Sequence, residues 1–126
     1  MENLFDIFLK VLRAIEVLKA EIVQQGQFNL IHFKSGLKID FIVRKVSPHS
    51  IEEFKRRSKV SFWDGAEVYL ASPEDIILKK LEFFRMGGSE KHLKDIRGIL
   101  SESTLDTPYL EIWIEKLSLR KEWEKI

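Results

Sequence analysis

Asp40 stands inside the run Leu37-Lys-Ile-Asp-Phe-Ile-Val43, a carboxylate with an apolar residue on each side. In a strand such a group is costly unless it is ion-paired, hydrogen-bonded or bound to a cation. Further along, Lys79 and Lys80 share one helical run, and Arg85, Lys91, Lys94, Asp95 and Arg97 follow around Gly87-Gly88. These residue types suit phosphate chemistry. A strand carboxylate can hold a divalent cation, and lysine or arginine can neutralise the phosphate oxygens that the cation carries. The plainer alternative is an interhelix ion pair between Lys80 and Asp95, with the other charges solvated. Spacing alone leaves both open.

The remaining inventory excludes more than it suggests. His32, His49 and His92 fall in three different elements with no ligand-type spacing, which argues against a histidine metal site. No Ser–His–Asp order, Gly-rich phosphate loop or Asp-x-Asp is present. The absence of cysteine rules out disulfides, thiolate zinc sites and thiol nucleophiles within these residues. Lys and Arg number 21 against 20 Asp and Glu, so no overall field attracts nucleic acid or an anionic membrane, and any anion site has to be local. No apolar run is long enough to span a bilayer, and Glu2 and Asp6 stand where a signal peptide carries basic residues. The expectation is a soluble, cytoplasmic protein with no membrane partner. The 126 residues fit a single domain.

The elements that must position these groups follow from periodicity. Residues 4–25 contain no Pro or Gly and repeat apolar residues every three or four positions, which predicts one helix closed by Gly26. A second apolar row beside the first makes that helix greasier than one neighbour requires. The period then changes to two, predicting a hairpin over 27–43 with its turn at Lys34, Ser35 and Gly36. Its second arm alternates Leu37, Ile39, Phe41 and Val43 with Lys38, Asp40 and Ile42. Ser50 to Glu53 matches a capping box opening a short helix through Arg57. A second hairpin over 59–71 turns at Asp64-Gly65. Residues 73–124 are helical: Ser72-Pro73-Glu74-Asp75 starts one helix, Ser89 caps the next with Leu93, Ile96 and Leu100 as its inner row, and Leu105 to Lys116 forms a third. A polar tail follows, anchored by Trp123. The order predicts an α+β fold, with a small antiparallel or mixed sheet from two hairpins covered by helices.

Through Leu37-Lys-Ile-Asp-Phe-Ile-Val43 and Ala71-Ser-Pro-Glu-Asp-Ile-Ile-Leu-Lys-Lys-Leu81, continuing to Leu100, the chain resembles the nucleotidyltransferase superfamily of polymerase β type. The likeness is to small prokaryotic proteins related to abortive-infection toxins, and it covers about 27–113. It implies that Asp40 is the third carboxylate of a catalytic, magnesium-holding set. It also implies that Lys80 contacts nucleotide phosphates and that Asp95 is the acid of the helix after the glycine joint; the charge cluster around them adds Lys79 and Arg85 as candidate substrate-binding cations. Two Mg²⁺ ions would bridge the carboxylates and the triphosphate.

The defining glycine turn and Asp-x-Asp of that family belong before the hairpin, and residues 1–26 contain neither. One carboxylate with lysines does not position two Mg²⁺ ions, which need near-octahedral geometry. The expectation is therefore a truncated or degenerate nucleotidyltransferase-like protein, catalytically incompetent alone, with an interaction or weak nucleotide-binding role. One alternative is half of a split Mg²⁺-dependent enzyme, completed by another chain that supplies the missing acids. Another is an antitoxin-like or RNA-contacting module using Arg44, Arg56, Arg57 and Lys59. An unpaired sheet edge and a two-sided apolar helix both ask for a partner, so a homodimer is expected.

Overall fold

Three prolines occur in the chain, and each stands at the start of a helix, where its fixed φ is pre-organised and its missing N–H is no loss. The computed structural model describes residues 15–126. They belong to two compact units, divided along the chain between Val46 and Ser47.

The first unit contains α1 (Ile15–Val23), β1 (Gln27–His32) and β2 (Leu37–Ile42). The 4–14 part of the predicted first helix lies outside the described residues. Its other end differs from expectation: the helix stops at Val23, and the left-handed residue beyond it is Gln25 (φ 53°), not Gly26. The Gly26 N–H donates to the Glu21 carbonyl (2.8 Å) and the Gln25 N–H to that of Ile22 (3.2 Å), the paired bonds of a Schellman ending. Gly26 is already engaged with the hairpin, since its carbonyl accepts from the Val43 N–H at 3.0 Å. β1 and β2 pair antiparallel from Gln27 opposite Ile42 to His32 opposite Leu37, and Gly36 (φ 70°) turns the chain. Phe28 faces Phe41 with stacked rings 4.9 Å apart, and Leu30 faces Ile39 on the same side. The other side carries Asn29 opposite Asp40 and Ile31 opposite Lys38, as the alternation predicts.

The second unit begins with α2 (Pro48–Arg56). Ser47, not Ser50, caps this helix: its hydroxyl accepts from the Ser50 N–H at 3.2 Å, with Pro48 in the first turn. The proline outweighs the capping-box pattern, and Ser50 becomes a buried helical residue. β3 (Ser58–Ser61) and β4 (Glu67–Leu70) pair antiparallel around a turn in which Asp64 (φ 56°) and Gly65 (φ 74°) are both left-handed. The fold is α+β, with its strands in two separate two-stranded ladders.

Four helices complete this unit: α3 (Pro73–Gly87), α4 (Glu90–Glu102), α5 (Thr107–Lys116) and α6 (Arg120–Trp123). Ser72 caps α3 as expected, accepting from the Asp75 N–H at 3.2 Å, and left-handed Gly88 (φ 69°) ends it. Ser89 precedes α4 without a side-chain capping bond. The third helix starts at Thr107, two residues beyond Leu105, because Asp106 caps it by accepting from the Tyr109 N–H at 3.1 Å. Ile77, Leu78 and Leu81 of α3 pack with Ile96 of α4, with Leu110, Trp113 and Ile114 of α5, and with Leu119. Trp123 packs against this cluster, as its anchoring role predicts. No helix among the described residues is long and apolar enough to cross a membrane.

Candidate functional site

Asp40 lies in the first unit, on the solvent-facing side of β2. Its side chain is 59% exposed, and Lys38, two residues away on the same strand face, pairs with it at 3.0 Å. Exposure and this pairing remove the cost that a carboxylate among apolar neighbours implies.

The other predicted residues lie in the second unit. Lys80 Nζ donates to Asp95 Oδ2 at 2.7 Å, linking α3 to α4, which is the plainer of the two readings of this pair. That hydrogen bond, with the lysine charge, holds the Asp95 carboxyl below the usual aspartate range. Lys79 lies 3.6 Å from Glu53 and 3.9 Å from Glu82. Arg85 donates to the carbonyls of Leu117 (2.9 Å) and Ser118 (3.3 Å), the unsatisfied acceptors where α5 ends. Lys79, Lys80 and Arg85, the candidate phosphate-binding cations, thus each have a partner within the protein. Three members of the alternative RNA-contacting set are engaged in the same way. Lys59 pairs with Glu67, Arg57 donates to the Phe54 carbonyl and lies over the Phe54 and Tyr69 rings, and Arg56 turns toward three acids.

Those acids belong to a centre that sequence reading missed. Asp75 is fully buried at the start of α3, where Ser72-Pro73 places it in the first turn. Its Oδ1 accepts from the Tyr109 hydroxyl at 2.6 Å and from His49 Nε2 at 3.0 Å. Its Oδ2 accepts from the Ser72 hydroxyl at 2.6 Å and lies 3.5 Å from Arg56 Nε. Beside it, buried Glu74 accepts from the Asp106 N–H at 2.6 Å and from Arg56 Nη2 at 3.2 Å. The Arg56 guanidinium lies 3.6 Å from the centre of the Tyr109 ring, and the His49 ring packs against Trp113.

Burial by itself pushes the Asp75 carboxyl up. Hydrogen bonds from His49, Ser72 and Tyr109 outweigh it, so the carboxyl sits below the ordinary aspartate range. Glu74 follows the same logic: burial raises it, but the backbone N–H of Asp106 and the charge of Arg56 help bring it down. Burial and the bond to Asp75 push the Tyr109 hydroxyl well up, so it remains a donor at neutral pH.

A carboxylate orienting an imidazole is an acid–base arrangement in form. Here His49 is 3% exposed and Asp75 0%, and both carboxylate oxygens already have donors, so the centre fastens elements together and offers no open acceptor. Among the described residues, no group of three or more histidines and acids is placed to hold a metal ion. The sequence signal for this centre was the acid pair Glu74-Asp75, whose apparent role as helix-end charges conceals a cross-chain one. Nothing local announces that His49 lies against it. Comparison with protein-family models, curated proteins and solved structures finds no match to the chain.

Proposed function

We propose that this chain is a nucleotidyltransferase-like interaction module, cytoplasmic and homodimeric, that binds nucleotides weakly and does not transfer them by itself. The reading joins the resemblance around Asp40 and Ser72–Leu100 to one carrying observation. Lys79, Lys80 and Arg85 are all engaged within the protein, and the tightest contact is the 2.7 Å bond from Lys80 to Asp95. A phosphate would have to displace these partners before gaining the cations, which lowers its affinity. The dimer is supported by β2, whose Leu37, Ile39, Phe41 and Ile42 are all exposed.

Incubating the purified chain with Mg²⁺ and labelled nucleoside triphosphates should leave added acceptors unlabelled. Label transfer that disappears in Asp40→Asn refutes the reading. Light scattering at micromolar concentration should give about twice the 14.9 kDa chain mass, and a monomer removes the dimer from the proposal.

A second reading is favoured by the exposure of Asp40 itself. A strand carboxylate open to solvent remains available to a magnesium site whose paired acids come from outside these residues, in a toxin–antitoxin or split-enzyme assembly. Under that reading, transfer appears only when a chain bearing the glycine turn and Asp-x-Asp is added, and it is lost in Asp40→Asn. An RNA-contacting role predicts instead binding that weakens steeply with added salt.

A further inference from the structure

The apolar cluster of the second unit is drawn from α3, α4, α5, α6 and the residues between and after them; among the described residues, none from 47–71 belongs to it. The segment containing α2, β3 and β4 has two buried residues, His49 and Ser50, and both are polar. Its apolar side chains remain largely outside, with Phe54 48%, Phe62 65% and Trp63 84% exposed. The segment nonetheless meets the helical body at a set of polar contacts. His49 donates to Asp75, Arg56 bonds Glu74 and lies over Tyr109, and Glu53 pairs with Lys79 at 3.6 Å.

We infer that α2 and the β3–β4 hairpin form a separately opening segment, latched to the helical body by the grip of Glu74 and Asp75 on His49 and Arg56. The body keeps its own apolar core whether the latch is closed or open, whereas the segment has little apolar burial to retain it. Hydrogen bonds and ion pairs depend steeply on geometry, so a small displacement releases His49 and Arg56 together. Cooperative units with little apolar burial open before the global transition does. The inference is independent of the functional reading above. Whatever binds the helical body or the hairpin, opening at this latch changes which surface of α3 and α5 is available. Glu74 and Asp75 would then face solvent beside Asp106 and Tyr109.

Residue-resolved hydrogen exchange on the full chain tests this directly. Amides of α2 and β3–β4 should exchange at least about tenfold faster than those of Leu81, Ile96 and Ile114. Arg56→Met, which removes the guanidinium from the segment side and leaves every buried member of the apolar cluster in place, should accelerate exchange across 48–70 by a further factor of about ten. The core amides should stay within about twofold of wild type. Tyr109→Phe, which removes one donor to Asp75 and keeps the ring, should give a smaller change of the same pattern. Equal wild-type rates in segment and core overturn the inference. So does acceleration by Arg56→Met that is uniform over the unit, or none at all.

Discussion

Asp40 and Asp75 are both aspartates with apolar residues nearby in sequence, and they arrive in opposite environments. Asp40 sits on a hairpin whose second strand is exposed along its whole length, and it meets Lys38 in solvent. Asp75 sits at the first turn of the most buried helix, out of solvent, with donors from His49, Ser72 and Tyr109. None of the described residues of 15–46 is buried, whereas the 47–126 unit contains both an apolar cluster and a buried, hydrogen-bonded carboxylate centre. The contrast shows that an acid among hydrophobic neighbours is not by itself a functional signal. Its energetic meaning depends on whether the fold removes it from water.

The comparison is tested most strongly by truncating core against hairpin. Leu81→Ala removes a fully buried side chain and should destabilise the second unit by about 3 kcal/mol, whereas Ile39→Ala on the open hairpin should cost less than about 1 kcal/mol. Denaturant unfolding followed by circular dichroism measures both. All three tryptophans lie in the second unit, so fluorescence reports on it selectively. Similar losses for the two variants would break the contrast.

Asp75→Ala should cost about 3 kcal/mol, because His49, Tyr109 and Ser72 are left without their common acceptor and Arg56 loses a neighbouring counter-charge. The same group gives a pH dependence of known sign. Asp75 and Glu74 titrate lower in the folded chain than the usual carboxyl range of about 4. Their contribution is complete above that range and is lost as pH falls through the lower folded values. The tryptophan-detected unfolding midpoint should therefore fall as the pH drops below about 4, less steeply in Asp75→Asn than in wild type. An unchanged slope would assign the acid transition to other groups.

Ser72→Ala should have an intermediate effect, about 1–2 kcal/mol. It removes the acceptor for the Asp75 N–H and a donor to the Asp75 carboxylate. A thermal melt that shifts no further than that of an exposed serine variant such as Ser101→Ala would show the cap to be weaker than its geometry. The smallest effect belongs to Asp40→Ala, below about 0.5 kcal/mol, since its partner is an exposed lysine. A larger loss would mean that Asp40 has a structural role the hairpin geometry does not provide.

Much of the local structure was legible because it depends on local chemistry. Both hairpin turns fall where Gly36 and Asp64-Gly65 permit left-handed backbone, and Ser72-Pro73 starts a helix for reasons contained in a few residues. The misplaced ends arose where two local signals competed. Ser47-Pro48 prevailed over the capping box at Ser50, and Gln25 took the left-handed turn because Gly26 was committed to the hairpin. The candidate site was harder to read. The Lys80–Asp95 pair follows from two adjacent helices joined at Gly87-Gly88, yet His49 and Tyr109 reach Asp75 from 26 and 34 residues away.

Periodicity, caps and turn residues alone determine that this chain makes an α+β set of hairpins and helices, because each depends on groups a few bonds or one helical turn apart. Tertiary packing decided which charges are spent inside the protein and which remain in water. It exposed Asp40, joined Lys80 to Asp95 and buried Asp75 where α2 and α5 bring donors to it. The physical reason is that solvation and ion pairing are set by distance in space, and that distance exists only after the helices have packed.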